Sequence, residues 1–155
     1  MYLQLGRVKV EEAKTEVPIC SLHEAIVLQT CTMQCMGTPL LHITWDDAET
    51  FVKKAAAAFP EVIGVYGPAR GGLPLAVMFS HLAGVPLLEA PCPGCLVIDD
   101  ICDTGRTLYA QSQKADRRVA TLAYKRQASF EPDLWLIEAP DNEWVVFPWE
   151  LGDLD

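Results

Sequence analysis

Between Leu96 and Leu108 the chain reads Leu-Val-Ile-Asp-Asp-Ile-Cys-Asp-Thr-Gly-Arg-Thr-Leu, an apolar run that delivers two adjacent carboxylates and then a short turn rich in hydroxyls. Paired acids such as Asp99 and Asp100 can hold a vicinal diol or a hydrated magnesium ion. The following Asp103, Thr104, Gly105, Arg106 and Thr107 offer backbone N–H groups, two hydroxyls and a permissive glycine where a helix should begin, an arrangement that stabilises a phosphate. Diol and phosphate side by side describe the chemistry of a 5-phosphoribosyl group. The plainer alternative is a strand end, a turn and an N-capped helix, since Asp, Thr and Gly are favoured there in any case. Both acids and the turn fall in one short window, which favours the ligand-binding reading.

The acids need a strand behind them. Leu96 to Ile98 suit a buried parallel strand, with Asp99 and Asp100 emerging at its carboxyl end, where open α/β sheets place their ligands. One crossover earlier lies Ala69-Arg70-Gly71-Gly72-Leu73-Pro74. Its glycines would let backbone amides approach an anion, and Arg70 would add charge-assisted hydrogen bonds. Alone this is an ordinary strand-to-helix turn. Right-handed crossovers nevertheless bring both loops to one edge of a parallel sheet.

From Leu40 onward the pattern alternates regularly. Leu41 to Thr44 reads as a strand, and Thr44 with Asp47 as the cap of a helix running to about Phe59, which Pro60 ends. Further strands are expected at Val62–Tyr66, Val85–Leu88, Cys95–Ile98, Val119–Tyr124 and Leu134–Ile137, with helices at Leu73–Ala83 and Thr104–Ala115. An aromatic segment, Trp144-Val145-Val146-Phe147-Pro148-Trp149-Glu150, closes the chain. The expected fold is α/β: three layers, with a mainly parallel central sheet flanked by helices. Residues 1–36 are poorly specified and read as an N-terminal extension, leaving 37–155 as the principal domain.

Composition narrows the function. A 155-residue chain, half of it hydrophobic, suits one compact domain with a sizeable core. The net charge of −9, with only 12 Lys and Arg, argues against a nucleic-acid or anionic-membrane partner. With no apolar run long enough to span a membrane and no leader pattern, the expected location is the cytoplasm. Among six cysteines, Cys31, Cys35, Cys92 and Cys95 form two pairs that could hold zinc, although buried free thiols explain them more simply.

The Asp-Asp window resembles the signature of the type I phosphoribosyltransferases. With Ile43-Thr44-Trp45-Asp46, Ala123-Tyr124-Lys125 and the closing aromatic segment, the likeness extends over about residues 40–150 and is closest to the bacterial xanthine-guanine (hypoxanthine) phosphoribosyltransferases. That resemblance implies transfer of a 5-phosphoribosyl group from phosphoribosyl pyrophosphate to a 6-oxopurine in purine salvage, with magnesium as cofactor. It assigns Asp100 to the metal, Asp99 to the ribose diol, and Thr104, Gly105, Arg106 and Thr107 to the 5′-phosphate. Arg70 and Gly71 would hold pyrophosphate, and Arg70 and Asp103 would be catalytic. Asp103, Lys125, Trp144 and Val145 would bind the base: Trp144 by stacking, Val145 through its backbone, Lys125 at the exocyclic oxygen. Without the acid-and-turn window, a core aromatic for Trp144 and a solvated strand-end lysine for Lys125 are the better readings, and the window reverses that preference. A homodimer or homotetramer is implied as well.

One departure bears on activity. The resemblance implies a long mobile loop before the Asp-Asp strand, a lid that excludes water. Here the interval is only Glu89-Ala90-Pro91-Cys92-Pro93-Gly94. Either residues 1–36 or another segment covers the site, or the chain is a weak or inactive nucleotide-binding or regulatory protein.

Overall fold

The computed structural model describes residues 39–112 and 117–150. The expectations for residues 1–36, including Cys31 and Cys35, lie outside the described residues.

Among the described residues nine elements follow one another: β1 Leu40–His42, α1 Trp45–Ala58, β2 Val65–Tyr66, α2 Gly72–Ala83, β3 Leu96–Cys102, α3 Arg106–Ser112, β4 Arg118–Tyr124, β5 Leu134–Glu138 and β6 Trp144–Val146. Strands β2-β3-β4-β5 form a four-stranded sheet and β1-β6 a two-stranded one. Every pairing within them is parallel, as the alternating pattern requires, since parallel neighbours need a crossover between them.

Helix α1 begins where its cap dictates. The Asp47 N–H donates to Thr44 Oγ1 at 3.1 Å, and Asp47 Oδ2 accepts from the Thr44 N–H at 2.9 Å. Its Ala48, Phe51, Val52 and Ala55 are buried, and it packs on α2, β4 and β5. Helix α2 lies against β2 and β3 and ends at Gly84, whose φ of 68° suits a residue without Cβ. Alternation along β3 divides the core: Leu96 and Ile98 join the cluster around Phe51 and Phe79, while Val97 joins Cys95, Leu108 and Val119. Helix α3 contacts β3 and β4. The central sheet is thus covered on both faces, which explains the near-continuous burial of β3 and β4.

Several boundaries differ from expectation: β1 is Leu40–His42 rather than Leu41–Thr44, and β2 is Val65–Tyr66 rather than Val62–Tyr66, with Ile63 exposed ahead of it. Strand β3 does not stop at Ile98 but continues to Cys102, so both acids lie within the strand, paired in register with β4 at Asp99↔Thr121 and Ile101↔Ala123. The Val85–Leu88 segment makes one isolated bridge, Val65↔Leu87, because Pro86 has no N–H to extend a ladder. Helix α3 starts at Arg106 rather than Thr104, since Gly105 sits at φ 77°, outside helical space.

The interval 89–94 is a pinned turn. The Cys95 N–H donates to the Cys92 carbonyl, the Ile63 N–H to the Gly94 carbonyl, and one Arg117 nitrogen to the Pro91 carbonyl at 2.7 Å.

Candidate active site

The two loops singled out above meet. Gly71 is the N-cap of α2, and a Cβ built on it would stand 1.8 Å from Oδ2 of Asp100. A Cβ on Gly72 would stand 2.6 Å from the Ile98 carbonyl oxygen and 3.0 Å from Oδ1 of Asp99. Neither position has room for a side chain. The loop backbone therefore rests directly on the acid pair. The Ala69–Arg70 peptide is cis. Arg70 is exposed, and its guanidinium makes no hydrogen bond or ion pair among the described residues.

Asp99 is 8% exposed and Asp100 half-buried. Oδ1 of Asp99 accepts from the Asp100 N–H at 3.0 Å, and Oδ1 of Asp100 from the Ile101 N–H at 2.7 Å. Burial, then the charge of Asp100, pushes the Asp99 carboxyl up to about 8. Burial also raises Asp100, with the Glu150 carboxylate adding to the shift. No Lys or Arg pairs with either acid among the described residues.

Beyond β3 the chain turns sharply. Asp99, Ile101 and Cys102 join residues 103–108 in lining a cavity of about 120 Å³. Leu108 is buried and anchors α3, whereas Thr104, Arg106 and Thr107 are exposed. The backbone N–H of Phe130 lies 2.9 Å from the place a Gly105 Cβ would take, so the turn is backed by the connection after β4. Cys102 is buried, and burial pushes its thiol up to about 11.

Lys125 is not a solvated strand-end lysine. It is 6% exposed, its N–H donates to the Cys102 carbonyl, and its Nζ lies 3.5 Å from Oδ1 of Asp103. Trp144 is not a core aromatic either, for it is 49% exposed at the start of β6. Val145 buries its side chain. The Trp144 N–H donates to Pro39, and Val146 accepts from Ile43. Parallel pairing alternates, so the backbone N–H and C=O of Val145 face away from β1. Trp144 and Val145 belong to the two-stranded sheet, and the loop before them reaches the cradle through Asp141, whose Oδ1 accepts from the Gln127 N–H at 3.3 Å.

The sequence reading overlooked Gln127 and Ser129. The Gln127 amide donates to Oδ1 of Asp103 at 2.8 Å, and both the N–H and hydroxyl of Ser129 donate to the Thr104 carbonyl. Their one signal was position, just after Lys125. No group of three or more His, Cys, Asp or Glu poised for a metal occurs among the described residues. Nor is any helix among them long and apolar enough to cross a membrane.

No protein-family model matches the chain. Solved structures do. A purine phosphoribosyltransferase from Pyrococcus horikoshii superposes with a TM-score of 0.62 at 23% identity, over 75% of this chain and 97% of that one. A xanthine-guanine-hypoxanthine phosphoribosyltransferase from Helicobacter pylori gives 0.59 at 22%, over 72% and 94%. A Neisseria gonorrhoeae protein with bound ppGpp gives 0.55 at 18%, over 76% and 92%. The chain has the type I phosphoribosyltransferase fold.

Proposed function

We propose that the protein transfers the 5-phosphoribosyl group of phosphoribosyl pyrophosphate to a 6-oxopurine, guanine, xanthine or hypoxanthine, releasing pyrophosphate in purine salvage. The observation that carries this reading is the contact of Gly71 and Gly72 with Asp100 and Asp99, beside the cavity lined by residues 103–107. A donor with a diphosphate, a diol and a phosphate needs those three sites within one molecule's length. The purine enzymes of the same fold support the choice of base.

In this reading Thr104, Gly105, Arg106 and Thr107 grip the 5′-phosphate and Asp99 the ribose hydroxyls. Magnesium fits the chemistry here. Asp100 is raised by burial with no cation beside it, and this ion is usually bound through one or two carboxylates together with substrate phosphates. Asp100 would hold it, and it would neutralise charge on pyrophosphate. Arg70 and the Gly71 amide stabilise the leaving group as the C1–O bond breaks and its electron pair departs with pyrophosphate. N9 of the purine forms the new bond to C1, and the base's proton passes to Asp103. Lys125 donates to the 6-oxygen, which favours a carbonyl over an amino group. Trp144 stacks on the ring and the Val145 backbone meets its edge. The protein works as a homodimer or homotetramer, and the exposed Leu73, Val77 and Leu82 of α2 supply apolar surface for such assembly.

The test is conversion of labelled guanine, xanthine or hypoxanthine to its nucleotide, dependent on both donor and magnesium. No product, with no nucleotide bound, overturns the proposal. A second reading, binding without efficient transfer, is favoured by the short pinned turn at residues 89–94. It predicts a measurable nucleotide Kd with no turnover. Removal of residues 1–36 tests whether that segment covers the site: slower transfer with unchanged nucleotide affinity is expected if it does.

A further inference from the structure

Strand β4 ends at Tyr124, and the next residues form a tight turn closed by the Ala128 N–H on the Lys125 carbonyl at 3.0 Å. This turn touches the end of β3, the phosphate-sized turn and the loop before Trp144. Lys125 holds the end of β3 through the Cys102 carbonyl, Ser129 holds Thr104 twice, and Gln127 holds Asp141 in the loop before Trp144. The Gln127 side chain then reaches back to Asp103.

Asp103 needs that support. It is the first residue beyond the last β3–β4 pair, Cys102↔Tyr124, so no ladder hydrogen bond sets its orientation. Its Oδ1 receives both available donors, the Gln127 amide at 2.8 Å and the Lys125 ammonium at 3.5 Å. Because the acceptor is a carboxylate, the amide must present its nitrogen, which settles the orientation of an otherwise ambiguous group. The ammonium is too distant for a good hydrogen bond and acts as a charge. The amide is therefore the directional restraint. Oδ2 receives no donor among the described residues.

We propose that Gln127 is a positioning residue: it clamps Oδ1 of Asp103 and so leaves Oδ2 as the oxygen presented to the purine. The inference rests on the purine-transfer reading for its substrate but on the hydrogen bonds alone for the clamp. It also assigns Lys125 a division of labour, charge towards Asp103 and protons left over for the base. An unclamped carboxylate samples other rotamers, and reacting groups out of line lose rate rather than donor affinity.

Gln127→Glu keeps the shape but turns the donor into a like charge facing Asp103, Gln127→Ala removes the side-chain donor without adding charge, and Gln127→Lys restores a donor of sufficient reach. For the first two, kcat for base transfer should fall roughly tenfold, the worth of about one charge-assisted hydrogen bond. KM for phosphoribosyl pyrophosphate should stay within about twofold, since the clamp acts on the base side. Tm should move by no more than about 2 °C, as for other exposed substitutions. Gln127→Lys should recover most of the lost kcat. Unchanged kcat in Gln127→Glu overturns the clamp, and so does a loss shared equally by donor KM and Tm. Crystals of the wild type and Gln127→Glu read the Asp103 rotamer directly. If the wild type transfers no base, the proposed function fails while a displaced rotamer still upholds the clamp, and an unmoved rotamer ends it.

Discussion

Replacing Gly71 by Ala tests the meeting of the two loops with a single methyl group. The new Cβ would lie 1.8 Å from Oδ2, 2.3 Å from Cγ and 2.7 Å from Oδ1 of Asp100. Ordinary contact begins near 3.4 Å, so the carboxylate must retreat by more than about 1 Å. Retreat is open to it because the obstructing atoms end a short side chain. Its cost is the hydrogen bond from the Ile101 N–H at 2.7 Å, roughly 1 kcal/mol. The backbone at Gly71 is already helical, with φ −64° and ψ −40°, and adds no strain. Tm should therefore fall by only about 3–5 °C. Function should suffer far more, because a 1 Å misplacement of a positioned group can cost about a hundredfold. Gly72→Ala makes the informative contrast. There the methyl meets the Ile98 carbonyl oxygen at 2.6 Å and Pro68 at 2.9 Å, one of them backbone in the central strand, so α2 must lift from the sheet. That variant should lose roughly 2–3 kcal/mol of stability. Isothermal titration with magnesium and donor, beside thermal unfolding of both variants, separates the two signatures. Wild-type donor affinity in a folded Gly71→Ala protein would refute the placement of Asp100 under the loop.

Trp144→Ala should weaken base binding by about 1–3 kcal/mol, the worth of an aromatic stack. Its effect on Tm should be small, because half the side chain is solvent-facing. Peptide mapping after iodoacetamide treatment of native protein should find Cys92 labelled well before Cys95 and Cys102, which are buried and whose thiols burial pushes up. Thr44→Ala removes the cap of α1 and should lower stability by about 1 kcal/mol in urea unfolding. Asp99 has a folded value of about 8, against about 4 in the unfolded chain. Its contribution is thus complete below about pH 4 and gone above about pH 8, so Tm in EDTA should fall between pH 6 and 8.5, and Asp99→Asn should flatten that fall.

Much of this architecture was legible because local chemistry and tertiary packing agree. Thr44 and Asp47 announce a capping box, and the box forms. The Asp-Asp window and the Arg-Gly-Gly loop were expected on one sheet edge, and their contact follows from β2 and β3 being parallel neighbours. Other features depend on long-range packing that no local pattern encodes. A strand-end lysine is more often solvated, and Lys125 is instead buried beside Asp103, 22 positions earlier in the chain. Gln127 and Ser129 have unremarkable types, and they matter only because the turn after β4 folds over the phosphate-sized loop. The extent of β3 is not legible in the sequence because Asp is disfavoured in strands. Pairing with the apolar β4 overrides that preference.

The electrostatics of the acid pair constrain what can bind. Asp99 and Asp100 are held in a protein surface that already carries a net charge of −9, and neither is paired with a cation among the described residues. A bare pyrophosphate would be repelled by the chain's overall negative charge and by whatever charge the acid pair keeps, since burial holds Asp99 near 8 and raises Asp100, and the glycines at 71 and 72 interpose no side chain to screen it. Arg70 alone is a single exposed charge and offsets only part of that repulsion. The arrangement becomes attractive once the donor arrives as its magnesium complex, because positive charge beside the buried acids favours their ionised forms. The same glycines that let the loop amides approach an anion also make the site dependent on that accompanying cation. Under the proposed function, donor affinity should depend steeply on magnesium, whereas affinity for the base, set by Lys125 and Trp144, should not.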